Sequence, residues 1–356
     1  MDTAHDRAGS DEVTSDLSNL KFGMIQYDPH HWRSHLLDIR GSMVREIFAR
    51  VTVCVAWSVL VVALHSGTPT ATVRIEPDGT EVVSGQPQNV LLAWGRFLIR
   101  PIPLHGHTLI GVALGLLLVF RTNASYDRFW EGRRQWGGIV NDSRNIGRLA
   151  TSLLKDDREL LDRLLLWTMA WSWSVKHRLR GKKSLGPLGT ELPASEVLDV
   201  EQAQHIPLAV SRKMTEQIDM AQRRGIISDV QQSLIDGGVQ RLIDALGACE
   251  RIHNTPLPFA YMVHLRRALI VYLMTLPMAL VADFGWATVP ALLSIAYILL
   301  GVEEIGVEIE DPFGDDVNDL PLKTLCETIT NNLQALRPDK RANAQALQLD
   351  DLKQPE

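Results

Sequence analysis

Leu109-Ile110-Gly111-Val112-Ala113-Leu114-Gly115-Leu116-Leu117-Leu118-Val119-Phe120-Arg121 is an apolar run that stops on a charge. The wider block, residues 101–120, has no formal charge apart from any on His105 and His107. About twenty apolar residues suffice for a helix to cross a bilayer. No breaker separates this block from residues 121–148, so one helix is expected to leave the membrane and continue into water. Arg121, Arg128, Arg133 and Arg134 are expected to mark that boundary. Val112, Leu116 and Phe120 recur at i, i+4 and i+8 and share one helix face with slow drift. Gly111 and Gly115 lie on an adjacent face, and glycines four apart let helices approach closely in a membrane. From spacing alone the stripe is either ordinary lipid-facing or core surface, or the lining of a narrow path built by several copies. In the second case an apolar constriction can gate ions by dewetting.

Three more apolar blocks complete the pattern. Residues 51–64, with Ile47, Phe48 and Ala49 before them, nearly reach a span. Residues 268–282 are interrupted by Pro277, and residues 284–302 are charge-free. Asp283 and Gly285 mark a turn between these last two, which together read as a transmembrane hairpin. Arg40, Arg45 and Arg50 precede the first block, and Arg266 and Arg267 precede the third. The positive-inside rule places these clusters, and the arginines after Phe120, in the cytoplasm. Four spans then leave both termini cytoplasmic.

The rest of the chain is polar or amphipathic. Residues 1–18 are rich in Asp, Ser and Thr and read as disordered; they lack the basic-then-apolar layout of a cleaved signal peptide. His31 and His35 have the i, i+4 spacing of a helical metal pair, without a third ligand nearby; the competing reading is an interfacial anchor with Trp32 and Arg33. Val73–Ile75 and Glu81–Val83, around Pro77-Asp78-Gly79, suggest a small hairpin. Residues 156–252 have helical periodicity, with Trp167, Trp171 and Trp173 in a candidate core helix. The expected organisation is a tail (1–19), an N-terminal segment and first span (20–66), an extracytoplasmic loop (67–106) and a long second helix (107–150). A cytosolic helical region (151–254), the hairpin (255–305), an acidic turn with a C-terminal helix (306–336) and a flexible tail (337–356) follow.

Several function classes are excluded or disfavoured. The net charge of −6 argues against nucleic-acid binding, which needs a concentrated basic surface. Cys54, Cys249 and Cys326 lie far apart and give no disulfide framework. No catalytic motif is present, and Cys249 with His253 on one helical spacing is no evidence for a nucleophile and its base, so the chain is not expected to be an enzyme. Residues 308–321, Glu-Ile-Glu-Asp-Pro-Phe-Gly-Asp-Asp-Val-Asn-Asp-Leu-Pro, form a dense acidic turn punctuated by Pro312 and Gly314. Asp311, Asp315, Asp316, Asn318 and Asp319 supply the oxygen chemistry of a calcium site; the plainer reading is a solvated exit from a membrane helix.

Three separated motifs together resemble one family, the bestrophins in their bacterial form. They are Phe120-Arg121-Thr122-Asn123-Ala124-Ser125-Tyr126-Asp127-Arg128-Phe129-Trp130-Glu131-Gly132-Arg133, Asn254-Thr255-Pro256-Leu257-Pro258-Phe259-Ala260-Tyr261, and Glu310-Asp311-Pro312-Phe313-Gly314 with Asn318-Asp319-Leu320-Pro321. The resemblance covers roughly residues 20 to 335. It implies an all-α integral membrane protein with four membrane-inserted helices per subunit, a helical cytosolic region, and a pentamer around one axial pore. It places Val112, Leu116 and Phe120 as three neck rings, and a second, cytosolic constriction in the region of Ile235 to Val239. It also implies multi-pass residence in a bacterial inner membrane, with lipid, monovalent ions and further copies of the chain as partners. The acidic turn corresponds to the calcium clasp of animal members, but Val317 interrupts its acidic row. The turn is therefore expected to be structural, packed against residues 22–32, with no cofactor required and calcium the one candidate ligand. Monovalent cations are the expected permeant ions. The alternatives are an anion channel, or a membrane-anchored scaffold or sensor that binds a divalent ion or a partner at the turn.

Overall fold

A computed structural model describes residues 43–66, 72–75, 81–84 and 102–338. The expectations for the N-terminal tail, the His31/His35 pair, the contact of residues 22–32 with the acidic turn, and the tail at 339–356 lie outside the described residues. Nine α-helices make up most of what is described: α1 (Val44–Ser66), α2 (Leu104–Leu153), α3 (Arg158–Leu179), α4 (Ala194–Glu201), α5 (Ile206–Arg223), α6 (Asp229–Asn254), α7 (Phe259–Phe284), α8 (Thr288–Glu308) and α9 (Leu322–Gln334). Strands β1 (Thr72–Ile75) and β2 (Glu81–Ser84) pair antiparallel with Val73 opposite Val83, as the turn residues between them suggest.

The chain divides into two units. One holds Arg33–Asp127 and Leu257–Glu310; the other holds Arg128–Pro256 and the segment from Asp311 onward. Helix α2 contributes its first half to one and its second half to the other.

In the first unit, α1, α7 and α8 pack through Ile47, Val51 and Cys54, Leu273, Leu276 and Leu280, and Leu292, Ala296 and Leu300. Helix α2 joins through Leu114 and Leu118, which meet Leu265 and Leu269 of α7. Helices α1 and α2, and the stretch Phe259–Glu308 that holds α7 and α8, are long and apolar enough to cross a membrane. Their outward faces stay apolar, as helices surrounded by lipid or by other helices require. Helix α7 runs through Pro277 and stops at Gly285, whose φ of +50° is open to glycine and costly for other residues. A short 3₁₀ turn, Gly285–Ala287, reverses the chain into α8, giving the expected hairpin. Helix α8 extends past the apolar block to Glu308 and so carries Glu303 and Glu304 into this unit.

The second unit is built around α3, which is buried on nearly every face. Leu164, Leu165, Trp167, Met169 and Trp171 contact solvent little or not at all. Around it lie Trp136, Ile139 and Ile146 of α2, Val210, Met214 and Ile218 of α5, Leu242 and Cys249 of α6, and Cys326, Ile329 and Leu333 of α9. The helix starts are locally encoded. Asp157 caps α3 by accepting from the Leu160 N–H, and that bond holds its carboxyl below the usual range. Ser228 and Gln231 form a reciprocal capping box at α6. Gly147 of α2 is required by packing: a β-carbon there would sit 2.4 Å from Leu333 Cδ2.

Candidate functional site

The first half of α2 has two contrasting faces. Leu114, Leu118, Arg121 and Ser125 are buried. The opposite side leaves Leu109, Val112, Leu116 and Phe120 exposed at 75%, 69%, 55% and 57%. The three expected neck residues thus share an apolar face that the described residues of their own subunit do not cover. Within the described residues the two glycines differ in their surroundings. Gly111 receives Tyr272 of α7, whose hydroxyl would lie 2.8 Å from an added β-carbon, whereas Gly115 meets nothing within 4 Å.

Directly below Phe120 the structure departs from the sequence reading. Arg121 was expected at the water boundary, yet it is 0% exposed. Its Nη1 donates to the Glu303 carbonyl and lies 3.3 Å from Glu303 Oε1, while Nη2 stands 3.9 Å from Glu310 Oε2. Glu303 is itself only 2% exposed. It takes a second arginine, Arg266, at 2.8 Å and a third, Arg50, at 3.3 Å. Arg50 also reaches Glu304 at 2.5 Å. Four helices therefore converge on one carboxylate: α1 through Arg50, α2 through Arg121, α7 through Arg266 and α8 through Glu303. Gly306 permits the approach, since a β-carbon there would sit 3.1 Å from Arg121 Nη1. The Asn254–Tyr261 motif braces the same region. The Leu257 N–H donates to Glu310 Oε1 at 3.0 Å, and the Tyr261 hydroxyl donates to the Leu117 carbonyl at 2.9 Å. Glu303 and Glu304 were missed in the sequence. Their signal was two adjacent carboxylates at the very end of a charge-free span.

The expected cytosolic constriction residues fall elsewhere. Ile235 and Val239 are 0% and 2% exposed and belong to the core of their own subunit. With Leu242, Leu246 and Cys249 they form the i, i+4, i+7 stripe by which α6 packs inward. A side chain used in that packing cannot also line an opening. The exposed apolar residues at this end of α6 are Val230, at 79%, and Leu234, at 54%. Cys249 and Cys326 are buried, and burial pushes both thiols up to about 12, so neither is a nucleophile at neutral pH.

The acidic turn is closed by its own hydrogen bonds and by one arginine. The Leu320 N–H donates to the Pro312 carbonyl at 3.0 Å, and the Asp316 N–H donates to Asp319 Oδ2 at 2.7 Å. Asp311 Oδ1 accepts from the Phe313 N–H at 3.3 Å. Phe313 is fully buried, with Pro312 beside it, against Gly132 of α2, where a β-carbon would lie 3.1 Å from both. Arg180 donates to the carbonyls of Phe313 and Gly314, at 3.2 and 2.6 Å, and pairs with Asp315 at 2.5 Å. One guanidinium thus already meets three oxygens that a cation would use. Asn318 and Asp316 stay on the rim, and Asp319 is turned inward. Its burial pushes that carboxyl up to about 6. Gly314 is needed here, because a β-carbon would sit 2.5 Å from Asp319 Oδ2. Among the described residues no group of three or more His, Cys, Asp or Glu side chains could hold a metal ion.

Comparison with known proteins identifies the class. The family model described as bacterial/fungal bestrophin protein matches residues 24–335. The chain belongs to the bestrophin family, whose members are ion channels. It is 33% identical over 322 residues to the voltage-dependent anion channel-forming protein alr2987 of Nostoc, covering 88% of this chain and 95% of that protein. It is 34% identical over 312 residues to the similarly named protein sll1024 of Synechocystis, covering 86% and 92%. A crystal structure of a bacterial bestrophin homologue from Klebsiella pneumoniae superposes with a TM-score of 0.71 at 28% identity, covering 82% of this chain and 98% of that one.

Two outcomes test this geometry. Breaking a buried ion pair by removing one partner costs about 3–5 kcal/mol, so Glu303→Gln should lower stability by that order in detergent unfolding. A loss below about 0.5 kcal/mol would show that Arg121 does not depend on it. Asp319 holds its proton to higher pH in the folded state than in the unfolded chain, so its contribution to stability falls as pH rises from about 4 to about 6. Asp319→Asn should therefore raise the melting temperature at pH 7–8, with the gain shrinking toward pH 4. A gain independent of pH would show that the carboxyl is not held in this way.

Proposed function

We propose that this chain forms an oligomeric channel, with five copies as in the family it belongs to, and with α2 innermost. The observation that carries this reading is the uncovered apolar face of Val112, Leu116 and Phe120 on a helix whose other side is packed. One subunit alone would not enclose a path, because this face has no partner among the described residues. Several copies around an axis would stack the three side chains as rings, and a narrow apolar neck resists wetting until it widens. The chain would sit in a bacterial inner membrane with both termini cytoplasmic, by the arginine bias that flanks its spans.

The second narrowing is assigned to the exposed start of α6, Val230 and Leu234, in place of Ile235 and Val239. The acidic turn is a calcium-independent strut, because Arg180 supplies the positive charge and the donors that the turn's oxygens need. The neck carries no charge, so it does not choose the sign of the ion. Monovalent cations are the first reading, in keeping with the net charge of −6. Anions are the second, favoured by the names of the Nostoc and Synechocystis relatives.

Planar-bilayer recording in asymmetric salt tests the proposal. Val112, Leu116 and Phe120 changed together to Ala should raise the current by widening the neck; unchanged conductance would return these residues to lipid. The wild-type reversal potential separates the cation from the anion reading. Current should persist in a calcium chelator, and current abolished by the chelator and restored by micromolar calcium would make the turn a gate.

A further inference from the structure

We infer that Asp127 lies on the conduction path just beyond the neck, and that its carboxylate biases the path toward cations. This inference rests on the channel reading above and adds a determinant of ion sign that the neck lacks. Successive helix residues turn by about 100°. On that spacing Leu109, Val112, Leu116, Phe120, Asn123 and Asp127 fall within one narrow arc of α2, and all six are exposed. The opposite arc, Leu114, Leu118, Arg121 and Ser125, is buried. The face that would line the neck therefore continues without rotation to Asp127. Seven residues at 1.5 Å each place it about 10 Å past Phe120 along the axis.

The electrostatics make Asp127 the first uncompensated charge on that face. Arg121, the nearest preceding cation in the sequence, is buried against Glu303. Arg128, the next residue, faces away and donates to the carbonyls of Ile252 and Thr255. Glu131 and Arg134 further along pair with each other at 2.8 Å. Asp127 itself makes no ion pair or hydrogen bond among the described residues. Repeated around an axis, such a carboxylate forms a ring of one sign beside a low-dielectric constriction, where counter-ions concentrate. Rings of acidic side chains favour cations in this way.

The test is the cation-to-chloride permeability ratio of the full-length protein in planar bilayers under asymmetric sodium chloride. Asp127→Asn is expected to shift the ratio toward chloride by about three-fold or more, and Asp127→Lys further. Asp283→Asn, a control at the exposed turn of the membrane hairpin, is expected to leave the ratio unchanged. Asp127→Cys should shift it as Asn does and recover when a negatively charged thiosulfonate is attached, which a purely structural role would not produce. The ratio is read relative to wild type, so the direction of the shift supports the assignment whichever ion wild type prefers. Ratios equal to wild type in the Asn and Lys variants, with current intact, would overturn it. Wild-type protein without current in any salt would instead overturn the channel reading, and this inference with it.

Discussion

The orientation of α2 depends on the buried contact between Arg121 and Glu303. A helix residue turns by about 100° from its neighbour, so holding Arg121 inward against α8 also decides which residues face out. With Arg121 buried, Leu114 and Leu118 meet α7, and Leu116 and Phe120 are left uncovered. Such a contact is costly to build, because two charges leave water. It is tolerated because Glu303 is met by Arg50, Arg121 and Arg266 together. Its value lies in geometry: a rotated α2 would strand a guanidinium among apolar side chains.

The same logic accounts for the acidic turn. Carboxylates crowded at one bend repel each other and favour a cation or a bound proton. Both remedies appear. Arg180 from the end of α3 enters the bend, with Lys182 at 3.7 Å from Asp315 beside it, and Asp319 is buried where its proton is held more tightly. Lys323, close in sequence to the turn, pairs instead with Glu327 on its own helix. Phe313 then anchors the bend beside Gly132, so the turn is joined to α2 by packing as well as by charge.

Much of the fold was legible because its signals are local. Apolar runs of bilayer length, the absence of a breaker after Phe120, and the turn at Asp283-Phe284-Gly285 each depend on neighbouring residues alone. The i, i+4, i+8 spacing of Val112, Leu116 and Phe120 correctly placed them on one face, since that follows from helix geometry without reference to any partner. The region of Ile235 to Val239 came from the family resemblance and not from helix geometry, and both side chains belong to the inward face of an amphipathic helix.

By itself the sequence determined which segments are helical, which of them are apolar enough to enter a membrane, and which side chains of α2 fall on one line. Only the tertiary structure decided that Arg121 turns inward, that Arg180 is the cation of the acidic turn, and that Ile235 and Val239 are core. The physical reason is sequence distance. Arg121 and Glu303 are 182 residues apart, and Arg180 and Gly314 are 134 apart. A periodic pattern gives a helix its faces, but the identity of the partner that buries a charge depends on how distant helices pack.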